Sequence, residues 1–289
     1  MLSRTMQPLQ RTSTDGRRGL RMNRFAFDAR DGANYAPGPV ATEAGEMALR
    51  ANIPVFVNSF NQLLYLTDTI DWLLRHGFTN LTIIDQASDY APLLAYLGEV
   101  SGRGVKLVRL ATNVGARLAL AEAAVLTHLV PHIFTDPDLL LPETPDPLFV
   151  TRMLGLSMRF RAQKVGLALR IDDQHLFKPS RISVDGQAPQ TILEIEGRFW
   201  EKRLAADVYR ANVDTTFYLC NPQAPDTFDN SMRRLFGKHR KLRCIRVAGP
   251  GFLAKHRPWY VDDGWPQPEK VHYQQTAKAW TNWGLPSVA

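Results

Sequence analysis

The chain has 289 residues, 45% of them hydrophobic and 22% charged, which is enough for one large domain with appended segments. It contains no run of about 18 apolar residues and no apolar core of a secretory signal, so we expect neither a membrane-spanning helix nor export and predict a cytoplasmic protein. The formal net charge is +7, so nucleic acid and anionic membranes have to be considered as partners.

Residues 1–50 are rich in Arg, Gly, Ser, Thr and Pro and show no hydrophobic periodicity. We predict a flexible basic arm, because such a segment buries too little apolar surface to become ordered. Residues 51–289 are predicted to form a single domain, in which the second half, 141–289, packs on the first half, 51–140. The boundary between arm and domain is therefore expected near residue 50.

From residue 53 onward, short apolar runs alternate with patterns of helical spacing. The predicted strands lie at 53–57, 81–84, 105–108 and 133–134. The predicted helices lie between them at 63–74, 93–97 and 116–127. This alternation indicates right-handed βαβ units, and hence an α/β fold with a Rossmann-like, mainly parallel sheet flanked by helices.

The pattern changes after a further predicted strand at 165–169. We predict a helix at 191–205, an antiparallel pair formed by 208–209 and 213–219, and a last strand at 242–247. The second half is therefore expected to add a smaller antiparallel or mixed region. Its two cysteines, Cys220 and Cys244, lie in apolar contexts and are predicted to be reduced and buried, without a disulfide.

Each of the four strands predicted in the first half is followed by residues that can bind a ligand. They are Asn58, then Asp85, then Asn113 with Arg117, and finally Asp136 with Asp138. Open α/β sheets bind ligands at the carboxyl ends of their strands, and these groups suit the base, ribose and diphosphate of a nucleotide. Taken singly, each can equally be a helix cap or a turn residue.

Asp136 and Asp138 are spaced one residue apart. If the backbone stays extended past the strand, both carboxylates point the same way and converge on one spot. Two hard oxygen ligands suit Mg²⁺ or Mn²⁺ carrying a diphosphate. Asp-Pro-Asp is also ordinary turn chemistry, so the spacing alone leaves both interpretations open.

As a set, these motifs resemble bacterial nucleotide-sugar glycosyltransferases of the GT-A fold, family 2-like, over residues 53–283. The resemblance rests on Phe56-Val57-Asn58 with Tyr65-Leu66, Ile84-Asp85-Gln86-Ala87-Ser88, Asn113-Val114-Gly115 and Thr135-Asp136-Pro137-Asp138. Later blocks also match: Lys164-Val165-Gly166-Leu167, Ile171-Asp172-Asp173, Glu196 with Phe199-Trp200-Glu201, Asp214-Thr215-Thr216-Phe217 and His256-Arg257-Pro258-Trp259-Tyr260. One departure is Gln86, where Asn or Gly is commoner.

The resemblance implies a donor site for a nucleotide sugar, with UDP as the favoured nucleotide. It implies that Asp85 holds the nucleoside and that Asp136 lies near the ribose or the metal. From their positions after the predicted strands, we also expect Asn58, Asn113 and Arg117 to contribute to nucleotide binding, and the two carboxylates predict Mn²⁺ or Mg²⁺ as the cofactor. The implied metal ligands are Asp136, Asp138 and His256. His256 matches a position that approaches the metal or the diphosphate from the C-terminal side. An inverting outcome is favoured by the resemblance alone.

An inverting transfer needs a base that takes a proton from the acceptor hydroxyl. We expect Asp214 or Glu196 to serve, because their neighbours in sequence are apolar enough to raise the pKa of a carboxyl. The structural alternatives are that Asp214 only bonds Thr215 or Thr216, and that Glu196 pairs with Arg198 or Lys202 on a solvated helix face.

The positive charge is concentrated in residues 1–24 and 233–257. The second stretch can lie on an anionic membrane that carries a lipid-linked acceptor, so peripheral contact with the inner face of the membrane fits as well as a free glycan acceptor. A nucleic-acid binder is the alternative from another class, but the sequence has no recognisable nucleic-acid-binding module, and we expect no nucleic-acid partner.

A nucleotidyltransferase is a second alternative. Such an enzyme normally has a glycine-rich phosphate loop after the first strand, and residues 58–61 at that position contain no glycine. An inactive nucleotide-sugar binder is the remaining alternative.

Overall fold

The computed structural model describes residues 42–116, 130–182, 188–224 and 243–277. The helices are α1 (Glu43–Asn52), α2 (Leu63–Arg75), α3 (Ala91–Glu99), α4 (Phe149–Phe160), α5 (Ile192–Glu196) and α6 (Gln267–Thr276). The strands of the first half are β1 (Val55–Ser59), β2 (Leu81–Asp85), β3 (Lys106–Arg109), β4 (His132–Thr135) and β5 (Leu139–Leu140). Those that follow are β6 (Lys164–Leu169), β7 (Arg181–Ile182), β8 (Gln190–Thr191), β9 (Arg203–Ala205), β10 (Val208–Arg210), β11 (Tyr218–Cys220), β12 (Cys244–Val247) and β13 (Leu253–His256).

One mixed sheet runs through the described parts of the chain, in the order β3-β2-β1-β4-β11-β6-β12-β10-β9. The first four strands are parallel, as are β6 and β12, and β11 is inserted antiparallel between β4 and β6. β13 pairs parallel with the end of β6 and antiparallel with β5. The α/β class with a mainly parallel central sheet is thus confirmed, and both halves of the chain build the same sheet.

The central strands β1, β2 and β4 are buried on both faces of the sheet, whereas the edge strand β3 is largely exposed. Val55 and Val57 of β1 belong to the larger core, with α2 and α4, whereas Phe56 belongs to a smaller core with Ile84, Phe134 and Tyr218 on the opposite face. This alternation follows from the two-residue period of a strand. No helix among the described residues is long and apolar enough to cross a membrane.

Helix α1 lies mostly inside the segment predicted to be a flexible arm, and it packs on the start of α4. The Thr42 side chain caps the helix by accepting a hydrogen bond from the amide of Gly45. Glu46 is buried, pairs with Arg50 at 2.7 Å, and accepts hydrogen bonds from the amides of Val150 and Thr151 at the start of α4. Polar side chains therefore anchor this helix to the domain, and this is why hydrophobic periodicity did not predict it. Residues 1–41 lie outside the described parts.

Two predictions for the second half are wrong. The helix predicted at 191–205 ends as α5 at Glu196, continues as a short 3-10 helix and gives way to β9. The predicted antiparallel pair does not form, because β10 pairs with β9 and β12 while β11 pairs with β4 and β6. Cys220 and Cys244 are free thiols as predicted, but they are only half-buried. Most of the helix predicted at 116–127 lies outside the described residues.

Candidate functional site

Hydrogen bonds connect the residues that follow all four parallel strands. The amide of Gly115, after β3, donates to the side-chain oxygen of Gln86 at 2.7 Å, and the Gln86 amide donates to the Asn58 side-chain oxygen at 2.5 Å. Asn58 in turn donates to Asp136 at 2.9 Å, after β4. The convergence predicted from sequence is therefore present, and it is fixed by a continuous chain of polar contacts.

Asp136 is held at the end of this chain. One oxygen accepts from Asn58 and the other accepts from the Thr215 hydroxyl, while the Asp136 amide donates to the Thr215 carbonyl at 3.0 Å. Burial raises the pKa of Asp136, and the nearby Asp138 carboxylate raises it further, against the opposing hydrogen bonds from Thr215 and Asn58. Both oxygens are thus engaged by protein groups.

Asp138 has a different environment. The strand ends at Thr135, and a bend at Pro137, whose carbonyl accepts from Thr69 of α2 at 2.9 Å, turns Asp138 toward β13. Its Oδ2 lies 3.4 Å from Nε2 of His256, and its buried Oδ1 has no hydrogen-bond partner among the residues described. Burial raises the pKa of Asp138 and Arg257 partly offsets this. A buried carboxylate oxygen without a donor is a fitting ligand for a cation.

His256 is the last residue of β13 and sits opposite Leu139 in the pairing with β5. Burial, followed by the positive charge of Lys178, lowers the pKa of His256 to about 3, so the imidazole is neutral at physiological pH. A neutral imidazole nitrogen is able to bind a metal. No group of three or more His, Cys, Asp or Glu side chains within the described ranges is arranged to hold a metal ion, so Asp136, Asp138 and His256 are not a preformed three-ligand site.

The two cations that flank His256 in the chain have partners of their own. Arg257 donates its amide to the Asp138 carbonyl at 2.9 Å, while its guanidinium binds Asp68 at 2.6 Å and lies over the ring of Tyr65. Lys255 binds Asp173 at 2.7 Å. Of the two, Arg257 is the cation that the structure ties directly to the Asp138 segment.

Asp85 is fully buried at the end of β2. Its carboxylate accepts from the amide and the hydroxyl of Ser88 and lies 3.4 Å from Arg109. Burial raises the pKa of Asp85, and the Ser88 hydrogen bonds and Arg109 oppose it. Asp85 therefore organises the loop that precedes α3. A direct contact between Asp85 and a nucleoside stays a prediction.

Asn113 accepts a hydrogen bond from the Gly115 amide at 3.0 Å, in the loop where Gly115 has a φ of +85°. This bond ties Asn113 to the same chain of contacts as Gln86 and Asn58. Arg117 lies outside the described residues, and so its predicted role stays untested.

The two candidate bases lie in contrasting surroundings. Asp214 is exposed, so the apolar environment expected for it is wrong; its charge nonetheless acts on Asp136, since Thr215 follows it directly. Glu196 is buried and forms an ion pair with Arg246, rather than with Arg198 or Lys202. Burial raises the pKa of Glu196 to about 7 against the opposing effect of Arg246.

Sequence reasoning missed Thr215 as a partner of Asp136 and missed the bridging position of Gln86. Thr215 carried a weak signal, because it directly follows a candidate base. Gln86 carried a stronger one, because it departs from the family pattern at the end of β2. Its longer side chain is what spans from Asn58 to Gly115.

No family model matches the chain, and a search of curated proteins finds no match. Among solved structures, the chain is similar to the mannosyltransferase PcManGT of Pyrobaculum calidifontis in complex with GDP-Man and Mn²⁺, at 14% identity and a TM-score of 0.46, over 78% of this chain and 60% of that one. It is also similar to GalNAc-T7 with UDP, GalNAc and Mn²⁺, at 12% identity and a TM-score of 0.43, over 71% and 44%. A third similarity is to a Bacillus anthracis protein named as a glucose-1-phosphate thymidylyltransferase, at 12% identity and a TM-score of 0.39, over 68% and 87%. The chain spans less than two thirds of both glycosyltransferases, and similarities this remote do not define a family or an activity.

Proposed function

We propose that the protein is a metal-dependent glycosyltransferase, which moves a sugar from a nucleoside diphosphate donor, with UDP favoured, to a hydroxyl of a glycan or lipid-linked acceptor. The observation that carries the proposal is the unpartnered, buried oxygen of Asp138 beside the neutral imidazole of His256. Both stand next to the polar chain that joins the four strand ends. A sheet edge with this chemistry suits a cation and a diphosphate.

Asp138 and His256 would hold Mn²⁺ or Mg²⁺, because magnesium-type sites use one or two protein carboxylates and take further oxygens from substrate phosphates. When bound, the cation neutralises the charge that develops on the leaving diphosphate. Asp136, held by Asn58 and Thr215, fixes the loop that carries Asp138. Arg257 adds a positive charge on the same segment.

For the acceptor, we favour Asp214 over Glu196 as the base. Asp214 is exposed to an incoming hydroxyl and lies in the loop that carries Thr215 to Asp136. Glu196 has its carboxylate occupied by the Arg246 guanidinium. An inverting transfer, in which Asp214 takes the acceptor proton while the sugar leaves the diphosphate, is the course that follows from this assignment.

The test is thermal unfolding with UDP, GDP, CDP and dTDP, with and without Mn²⁺, on the wild type, Asp138→Asn and Asp71→Asn. Asp71 is an exposed carboxylate of α2 and serves as the matched control. One nucleotide at about 100-fold over its dissociation constant should add about 2.7 kcal/mol of stability in the wild type and the control, only with Mn²⁺. Asp138→Asn should lose this gain yet remain folded, because Oδ1 has no partner to lose. Absence of a shift with every nucleotide would contradict the proposal.

Product analysis separates glycosyl transfer from the nucleotidyltransferase alternative. Glycosyl transfer breaks the bond between sugar and diphosphate and releases a nucleoside diphosphate. Nucleotidyl transfer joins a sugar phosphate to a nucleotide and releases pyrophosphate. Asn61, in the loop where such an enzyme would need glycine, has a φ of +48° and is held by Ser88, Asp89 and Thr276. We expect nucleoside diphosphate; release of pyrophosphate would replace the proposal with the alternative.

A further inference from the structure

A cavity of about 520 Å³ lies at the other end of the sheet from Asp138. It is lined by the start of β12, including Cys244, and by residues that flank β9 and β10. Cys244 sits beside Lys164, the first residue of β6, which runs parallel to the strands of the first half, whereas Asp138 follows the carboxyl end of β4. The cavity is therefore separate from the site described above.

The lining of this cavity is strongly positive. Among the residues that the structure describes, the lining includes Arg198, Lys202, Arg210 and Arg243 and no Asp or Glu. The backbone amide of Arg210 donates to the carbonyl of Lys202 at 2.8 Å, which brings these two side chains to the same wall. Neither the Lys202 nor the Arg210 side chain forms a hydrogen bond or ion pair with any residue that the structure describes. Their charges are therefore available to a bound anion.

The buried carboxylate of Glu196, two residues before Arg198, has a partner outside the cavity lining. Glu196 is already paired with Arg246, whose guanidinium lies 4.2 Å from the centre of the Phe199 ring. Phe199, Phe160 and Ile245 give the cavity an apolar part between its cations. A recess of this size, with apolar walls and a few polar groups, is typical of small-molecule sites.

We propose that this cavity binds a small organic phosphate, with two or more negative charges next to Lys202 and Arg210 and an apolar group against Phe160 and Phe199. The concave shape and limited volume favour a small molecule over a nucleic-acid strand, which needs an extended groove with stacking platforms. The proposal does not depend on the glycosyltransferase activity, because it involves no metal and no residue of the Asp138 site.

The test measures binding calorimetrically in EDTA, with pyrophosphate, phosphate and phenyl phosphate as probes. The wild type should bind pyrophosphate at one site, and phenyl phosphate should bind more tightly than phosphate because of the apolar walls. The double variant K202Q/R210Q should lose at least about tenfold in affinity, since each removes a charge-assisted contact. Lys106→Gln is the matched control; this exposed lysine is on β3, at the opposite end of the strand order, and should leave affinity within about twofold.

Unchanged thermal midpoints would show that the variants are folded, as expected for exposed side chains. Asp138→Asn should bind pyrophosphate as the wild type does; a loss in this variant would assign the binding to the Asp138 site and overturn the proposal. Absence of binding at millimolar pyrophosphate, or an equal loss in Lys106→Gln, would overturn it as well. Tighter binding of an oligonucleotide than of all three probes would replace the proposal with a nucleic-acid-binding surface, if the loss of any lysine or arginine weakens that binding equally.

Discussion

At the scale of single residues, Gln86 shows how the site is held together. It is buried, with one side-chain atom bonded to Asn58 and the other to the Gly115 amide. Asn58 depends on Gln86 for its orientation and then presents its amide to Asp136. Gln86 is thus a positioning residue for Asp136, although it follows β2, which β1 separates from β4 in the sheet.

We expect Gln86→Leu to lower the free energy of unfolding by about 1–3 kcal/mol, because it leaves the Asn58 side-chain oxygen buried without its donor, whereas the Gly115 amide keeps Asn113 as an acceptor. Urea denaturation measures this loss. It should also weaken Mn²⁺-dependent nucleotide binding, because Asn58 is no longer fixed against Asp136. Gln174→Leu, at an exposed position, is the control and should change stability by less than about 0.5 kcal/mol. Equal effects of the two substitutions would mean that the chain of contacts contributes nothing.

The sequence predicted these residues unevenly. Asp136 and Asp138 were predicted from their spacing after a strand, whereas His256 was predicted from a resemblance. The structure places Asp138 beside His256 across a sequence gap that no local pattern bridges. The environment of Asp214 was predicted wrongly, because apolar neighbours in sequence do not determine which way a loop side chain faces. The partner of Glu196 was equally inaccessible, since Arg246 is a strand residue 50 positions away.

At the scale of elements, periodicity worked where the elements are long enough to show it. The strands and helices between residues 53 and 109 were predicted to within a few residues, because short apolar runs and stretches of helical spacing follow one another regularly there. β9, β10 and β11 have three residues each, too few for a period. The segment 213–219 was predicted wrongly in part, because the strand is only Tyr218–Cys220, while Val213 packs against Gly166 of β6, where a Cβ would lie 2.7 Å from it.

The turn between β12 and β13 offers a test of how an element is placed. Gly251 has a φ of +79°, and a Cβ there would lie 2.3 Å from the backbone nitrogen of Asp146. We expect Gly251→Ala to destabilise the protein by about 2–4 kcal/mol through backbone strain and overpacking. Because this turn leads into β13, the substitution should also weaken Mn²⁺ binding at His256.

Gly98→Ala is the matched control for this prediction. Gly98 lies within α3, has ordinary φ, and has open space where the methyl group would go. Alanine there should stabilise the protein by about 0.5–1 kcal/mol. Thermal or urea unfolding of both variants measures the change in the free energy of unfolding. This change should be negative for Gly251→Ala and positive for Gly98→Ala, and a change of the same sign in both would refute the explanation by local geometry.

At the scale of the whole molecule, the segment after β13 folds back over the beginning of the domain. Glu269 accepts from the Leu64 amide at 3.1 Å and from the Trp265 ring nitrogen at 2.7 Å, which places α6 at the start of α2. Asp263 binds Lys178 at 2.8 Å and Lys270 at 2.7 Å. The contacts of Asp263 with Lys178 and of Glu269 with Leu64 join residues 85 and 205 positions apart, and for that reason the sequence did not predict them.

Asp263 makes the packing of the C-terminal segment on the domain dependent on pH. Burial by itself would raise the pKa of Asp263, but the hydrogen bonds from Lys178 and Lys270 outweigh it, and the pKa is lowered from its ordinary value. A carboxyl whose pKa is lower in the folded state than in the unfolded state stabilises the fold above the unfolded pKa, and that stability is lost as the pH falls through the folded pKa. The contribution should therefore be complete above about pH 4 and should decline in more acidic solution.

Asp263→Asn should accordingly cost about 2 kcal/mol at neutral pH, because two partly buried lysines lose their shared carboxylate. Urea unfolding of the wild type and the variant between pH 7 and strongly acidic solution measures the difference in stability, which should narrow once Asp263 is protonated in the wild type. Asp262→Asn changes the neighbouring exposed carboxylate, which only accepts from the Gly264 amide, and should have a small effect at every pH. If the difference in stability between the wild type and Asp263→Asn stays constant into acidic solution, packing rather than charge holds the C-terminal segment on the domain.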